Sequence, residues 1–142
     1  MMKFSLLETD AKKPIRKNKT DAGLDLFSLE DVIIPPFENR ICRTGVSIQV
    51  PENKMLLLLP KGRSNYLIGS GVIDPFYEPG EILVRVFNTS AKDLEINKGD
   101  AICQAVYIDI YIPDEMVEAG KEELKNNNNR SDSGSIKSFV GG

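Results

Sequence analysis

Apolar residues in this chain recur in short, β-branched and partly alternating runs rather than at helical spacing. Residues 40–50, 82–87 and 101–110 are the clearest of these runs, and each predicts a strand. Turn clusters break the runs at Pro35-Pro36, Pro51-Glu52-Asn53, Pro60-Lys61-Gly62, Glu78-Pro79-Gly80 and Asn97-Lys98-Gly99-Asp100. Many short strands with regular breaks predict an all-β sandwich or barrel. Residues 113–125 form the one helix or turn candidate, and Gly120 within it works against a helix. The longest apolar run, Met55 to Leu59, is far shorter than the roughly 20 residues of a membrane helix. The first residues also lack a signal-peptide core, so a soluble, cytoplasmic protein without membrane contact is expected.

Composition narrows the chemistry. The chain has 142 residues, 41% of them hydrophobic and 27% charged, which suits one globular domain. It contains no His, so an imidazole base, a Ser–His or Cys–His nucleophile pair and a His zinc ligand are all excluded. Acid–base work falls to carboxylates, Lys or Tyr. Cys42 and Cys103 have no metal-knuckle spacing and read as two reduced, buried thiols. A net charge of −3 argues against nucleic-acid binding and allows a polyanionic small substrate only where a local basic cluster or a metal holds it. The stretch Lys12 to Lys19 reads as a solvated basic loop. Residues 126–142, with the tract Asn126 to Asn129 and the end Gly141-Gly142, read as a polar arm that cannot bury enough apolar surface to order itself.

Four stretches carry candidate chemistry. In Asp21-Ala22-Gly23-Leu24-Asp25-Leu26, small residues let the backbone turn closely before a strand that begins near Asp25. In Pro60-Lys61-Gly62-Arg63-Ser64-Asn65, a strand end and a turn are followed by a planar Arg fork and a hydroxyl, donors that suit phosphate oxygens. In Gly71-Val72-Ile73-Asp74-Pro75, the proline biases Asp74 toward extended backbone, where a carboxylate beside an apolar wall can hold a water as general base. Tyr77 follows, with a ring able to stack on a sugar or base. In Gly99-Asp100-Ala101-Ile102-Cys103-Gln104, a Gln embedded in apolar strand sequence needs partners, either backbone groups or a ligand. Each stretch alone also has a plain reading as a turn, a cap or packing.

Taken in order, these stretches resemble the homotrimeric dUTPase (deoxyuridine triphosphate nucleotidohydrolase) family. Its signatures run Ala-Gly-x-Asp-Leu, Arg-Ser-x, Gly-x-Ile-Asp-x-x-Tyr-x-Gly-Glu, Gly-Asp-x-x-x-Gln and a Gly-rich C-terminal arm. Here they correspond to Ala22 to Leu26, Arg63 to Asn65, Gly71 to Glu81 with one extra residue, Gly99 to Gln104, and Arg130 onward. Thr44-Gly45, Asn88 and the approach Ile96-Asn97-Lys98 are further landmarks. The resemblance implies a jelly-roll-like β subunit over residues 1–125, a flexible arm over residues 126–142, and a homotrimer with active sites at subunit interfaces. It also implies attack of water on the α-phosphorus of dUTP, giving dUMP and pyrophosphate. Asp74 is then the base, Tyr77 the ring beneath the deoxyribose, and Gly71, Val72 and Ile73 the backbone that reads uracil. Arg63, Ser64, Asn65, Gln104 and Arg130 hold phosphates, and Asp25 meets Mg²⁺ through water.

The chain also departs from the family pattern. Only ten residues, Ser64 to Ile73, separate Arg63 from Asp74, which shortens the expected uracil hairpin. Phe76 stands where an Asp is usual, Pro79 is inserted before Gly80, and Ser135 occupies the position of the arm's Phe, for which Phe139 is the nearest substitute. Two other readings stay open. A non-catalytic nucleotide-binding protein on this fold fits the degenerate arm. A dCTP deaminase fits Gly62-Arg63-Ser64, although Arg85 stands three residues before Asn88, where that family carries Glu.

Overall fold

The described residues in the first part of the chain form eleven short strands: β1 (Phe4–Leu6), β2 (Leu24–Phe27), β3 (Val32–Ile34), β4 (Asn39–Arg43), β5 (Val46–Ile48), β6 (Lys54–Leu59), β7 (Leu67–Ile68), β8 (Gly71–Ile73), β9 (Leu83–Phe87), β10 (Leu94–Ile96) and β11 (Ala101–Asp109). They come from a computed structural model that describes residues 2–62, 64–75 and 80–125. The chain divides into two compact units, Met1–Tyr111 and Ile112–Gly142. All strands belong to the first, an all-β, jelly-roll-like unit whose strand pairs are antiparallel throughout. In the second, the helix or turn candidate is a single 3-10 turn, Lys121–Leu124, starting directly after Gly120. The expected arm, residues 126–142, lies outside the described residues.

A four-stranded sheet, in the order β2-β11-β6-β8, positions most of the candidate chemistry. The apolar run in β6 does not pack evenly. Leu56 and Leu58 point into the core, as a period-two strand requires, and their neighbours are only partly covered. In β11 the alternation breaks, because both Ile102 and Cys103 are fully buried. The register explains this: Ala101 pairs with Phe27 and Cys103 with Leu26, so Ile102 is an extra residue in a β-bulge and its neighbour turns inward with it. The three-stranded sheet β4-β9-β7 shows clean alternation in β9, with Val84 and Val86 inward and Leu83, Arg85 and Phe87 outward.

The run 40–50 forms two strands, not one. Its break falls at Gly45, which has φ +68°, and a Cβ there would stand 2.8 Å from the Ala11 Cβ. Glycine meets both demands. Thr44 before it is buried and donates its hydroxyl to the Ile82 carbonyl at 2.7 Å, tying the break to the residue that precedes β9.

Asn88, which follows β9, is buried at the meeting of several loops. Its amide donates to the carbonyls of Ile34 (3.0 Å), Pro35 (3.2 Å) and Lys92 (2.6 Å), and its oxygen accepts from the Ser90 backbone N–H at 2.9 Å. Truncation would remove the amide from these three carbonyls and the acceptor from the Ser90 N–H, all in a buried setting. Asn88→Ala is expected to lower the unfolding free energy by about 2–4 kcal/mol. Urea denaturation measures it, as a shifted midpoint at unchanged slope.

Candidate active site

Asp25 is the second residue of β2 and its backbone is fixed from both sides. On one side it lies in register with Gln104 of β11, and on the other it exchanges hydrogen bonds with Ile15, the N–H donating to the Ile15 carbonyl at 2.7 Å. Gln104 is also in register with Leu59 of β6, so Asp25, Gln104 and Leu59 form one row across three strands. The Gln104 amide Nε2 donates to the Pro60 carbonyl at 3.0 Å, the backbone partner its apolar surroundings called for. Gly23 makes the row possible, because a Cβ on it would lie 3.0 Å from Gln104 Oε1 and 3.1 Å from the Ala105 carbonyl.

This row opens into a polar pocket of about 480 Å³ lined by Lys17, Asn18, Asp21, Ala22, Gly23, Asp25, Lys61, Gly62 and Gln104. The Asp25 carboxylate is 14% exposed and is met by Lys61 Nζ at 2.5 Å. Asp21 is committed elsewhere, accepting from the Asn18 backbone N–H at 2.9 Å and from its amide. Ser64 folds back, with its hydroxyl donating to the Lys61 carbonyl at 2.7 Å, and lines a neighbouring pocket with Lys61 and Tyr66. Asn65 is exposed in the bend beyond it. Arg63, Tyr77 and Arg130 lie outside the described residues.

A second pocket, of about 250 Å³, sits at the other side of the same sheet. Leu58, Gly71, Val72, Ile73, Asp74, Glu81, Ile82 and Leu83 line it. Gly71 packs closely on β6, since a Cβ there would approach Leu58 Cδ1 to 3.2 Å. Asp74 follows directly after β8, and its side chain is exposed at the pocket mouth. Apolar walls and a row of strand backbone give this pocket the means to hold a flat polar ring, with a carboxylate at its rim.

Glu81 anchors that pocket. Arg43 donates to it through Nε (3.0 Å) and Nη2 (2.9 Å), and the Gly45 backbone N–H adds a third contact at 3.2 Å. The Arg43 guanidinium holds the Glu81 carboxyl below its ordinary value of 4.5. Arg43 reaches Glu8 as well, at 2.9 Å. The two cysteines are free and buried, and burial pushes their thiols up to about 11 for Cys42 and about 12 for Cys103, so both stay protonated and inert. On β9, Arg85 turns outward and donates to Asn39 Oδ1 at 2.6 Å.

The two pockets share no residue. Strands β2 and β8 are the outer members of the sheet, so Asp25 and Asp74 lie three strand spacings apart, roughly 14 Å. Along the strands, Gln104 is level with Leu59 while Asp74 follows Ile73, the partner of Leu56, so the offset is about four residues or roughly 13 Å. Sequence order brought out Asp25, Gln104 and Asp74. It did not bring out Lys61 as the partner of Asp25, nor Glu81 as the pocket's anchor, because both contacts join residues remote in the chain.

A jelly-roll-like subunit with a polar, carboxylate-bearing pocket and a separate backbone-lined pocket has the features of a nucleotide-handling β protein. Comparison with known proteins makes this specific. The family model described as dUTPase matches residues 9–138, and the chain belongs to the dUTPase family. A deoxyuridine 5'-triphosphate nucleotidohydrolase of Clostridium tetani is 39% identical over 111 residues, 74% of this chain and 76% of that one. One from Paramecium bursaria Chlorella virus 1 is 36% identical over 112 residues, 76% of this chain and 79% of its own. Among solved structures, the Staphylococcus bacteriophage 80alpha dUTPase with dUpNHpp superimposes with a TM-score of 0.82 at 26% identity, over 93% of this chain and 94% of that one. A mutant dUTPase of S. aureus phage phi11, whose structure details coordination of a structural Mg(II) ion, has a TM-score of 0.77 at 26% identity, over 85% and 99%.

The Glu81 clamp has a pH signature. A carboxyl whose folded value lies below its unfolded value stabilises the fold above the unfolded value, and that contribution is lost as pH falls through the depressed one. Glu81→Gln is therefore expected to be less stable than the parent at pH 7 and to lose less stability between about pH 5 and pH 3. Thermal unfolding across that window checks both.

Proposed function

We propose that this chain hydrolyses dUTP to dUMP and pyrophosphate, limiting uracil entry into DNA and supplying dUMP for thymidylate synthesis. The observation that carries the reading is Asp74 at the mouth of a pocket walled by Gly71, Val72 and Ile73, in a chain of the dUTPase family. Backbone N–H and C=O groups at these positions match the edge of uracil, whereas cytosine would leave buried polar atoms mispaired, a heavy penalty away from water. Asp74 orients a water and takes its proton as the oxygen attacks the α-phosphorus. Tyr77 lies under the deoxyribose. Arg63, Ser64, Asn65, Gln104 and Arg130 hold the phosphate chain.

Mg²⁺ fits the polar pocket in a limited way. Among the described residues no group of three or more His, Cys, Asp or Glu side chains could cage a metal. Of the two carboxylates that line this roomy polar space, Asp21 is held by Asn18 and Asp25 is left to face it, which suits an ion that keeps several waters and is held chiefly by phosphate oxygens. Bound there, Mg²⁺ would draw off negative charge from the phosphates during hydrolysis.

The same geometry supports a homotrimer. Within one subunit Asp25 and Asp74 are too far apart to serve one phosphorus atom. A neighbouring copy that brings its Asp25–Gln104 pocket against the Asp74 pocket completes the site. Exposed apolar side chains support such association: among the described residues Ile41, Leu67 and Leu83, beside Arg85 on the outer side of β4-β9-β7, are 48, 57 and 49% exposed.

Pyrophosphate release assayed across dUTP, dCTP, dTTP and UTP tests the activity, with turnover expected for dUTP alone. Release of ammonia from dCTP would favour the deaminase, and tight dUTP binding without release a regulatory protein. Asp74→Asn should cut turnover by at least about a hundredfold while dUpNHpp affinity stays within a few-fold. Equal mixing of Asp74→Asn with Gln104→Ala, each inactive alone, should restore about a quarter of wild-type activity if sites form between subunits. Sites built within one subunit would leave the mixture inactive.

A further inference from the structure

Lys61 stands outside every signature motif of the sequence, yet it is the cation that meets the Asp25 carboxylate. Its side chain is 34% exposed, and it lies in the same pocket as Gln104, at the end of the row that β2, β11 and β6 build. Its backbone is held as well, because the Lys61 carbonyl accepts from both the N–H and the hydroxyl of Ser64. Among the described residues, two other basic groups nearby are differently placed. Arg16 donates to the backbone carbonyls of Asp21 and Lys19, while Lys17 lines the pocket from an exposed loop.

We propose that Lys61 is a phosphate-binding residue that also serves as the resident counter-cation of Asp25, so that a divalent ion lodges in this pocket only together with a nucleotide. The inference rests on the dUTP reading above. A carboxylate largely removed from water needs a positive partner. In the nucleotide-free protein Lys61 supplies that charge and leaves a lone Mg²⁺ little to gain. A triphosphate carries about four negative charges, and each of its oxygens can accept from an ammonium on a flexible stem. Lys61 can therefore turn from Asp25 to the phosphates within one pocket, and the carboxylate it releases becomes available to the ion that accompanies the nucleotide.

Two binding measurements test this without reference to turnover: calorimetry of dUpNHpp with Mg²⁺ or with EDTA, and Mn²⁺ alone followed by electron paramagnetic resonance. For Lys61→Met, affinity for the analogue in EDTA should fall at least about tenfold, because the unpaired Asp25 charge then faces the phosphates. With Mg²⁺ the loss should be only a few-fold, and Mn²⁺ alone should bind several-fold more tightly than to the parent. Asp25→Asn should do the opposite. It frees Lys61 and removes the repelling charge, so metal-free affinity rises, a gain that a folding defect cannot produce. Equal losses for Lys61→Met with and without Mg²⁺, an unchanged Mn²⁺ affinity, or no gain in Asp25→Asn would reduce Lys61 to a structural brace and overturn the proposal alone. Failure of the parent protein to bind dUpNHpp even with Mg²⁺ would overturn the dUTP reading and this inference with it.

Discussion

Strand β11 bonds on both of its edges, and the candidate chemistry of the polar pocket depends on that. Residues 103–105 pair with β2 on one side and residues 104–109 with β6 on the other. Gln104 is therefore the point at which three strands are brought level. A shift of β11 by one residue would turn Gln104 to the opposite face and carry Cys103 or Ala105 into the pocket. The bulge at Ile102 absorbs one residue ahead of this point, and the buried pair Ile102 and Cys103 resists slippage in either direction. Gly23 adds to the constraint, because a Cβ there would stand 3.0 Å from Gln104 Oε1 and 3.1 Å from the Ala105 carbonyl, tighter than side chains ordinarily pack.

The legible part of this fold is the part governed by short-range rules. The period-two run in β9 and the turn chemistry at Asn97 to Asp100 both yield to alternation and backbone preference, with Gly99 at φ +89° in the latter. Strands of two or three residues, such as β1, β3, β7, β8 and β10, are too short to show a period of their own, and pairing with a partner defines them. Gly45 shows the limit in one residue. Its positive φ was open to inference, but the clash that bars any side chain comes from Ala11, brought there by the fold.

The site divides in the same way. Asp25, Asp74 and Gln104 stand in motifs whose order along the chain is informative, and the structure places two of them in one row. Glu81 was visible as a motif end, but its anchoring by Arg43 and the Gly45 N–H joins positions 38 and 36 residues apart, beyond any local rule. Lys61 is the sharper example. From sequence it is one residue of a solvated turn, and only the register of β2 against β11 and β6 sets its ammonium on Asp25.

The absence of histidine and the split between pockets belong to one physical account. A carboxylate base gains effectiveness through the position of the water it holds, and position needs enclosure. Among the described residues Asp74 is exposed at a pocket mouth, and on the proposed reading a neighbouring subunit related by rotational symmetry would supply that enclosure. In the proposed homotrimer, the pockets near the two outer strands of one sheet, too far apart to act together within a subunit, would become neighbours across an interface, each added subunit completing one further site. Binding and assembly then draw on the same surfaces. On that proposed reading, the exposed side chains of Ile41, Leu67 and Leu83 would be covered as a neighbouring copy helps a short chain without imidazole confine one water beside one phosphorus atom.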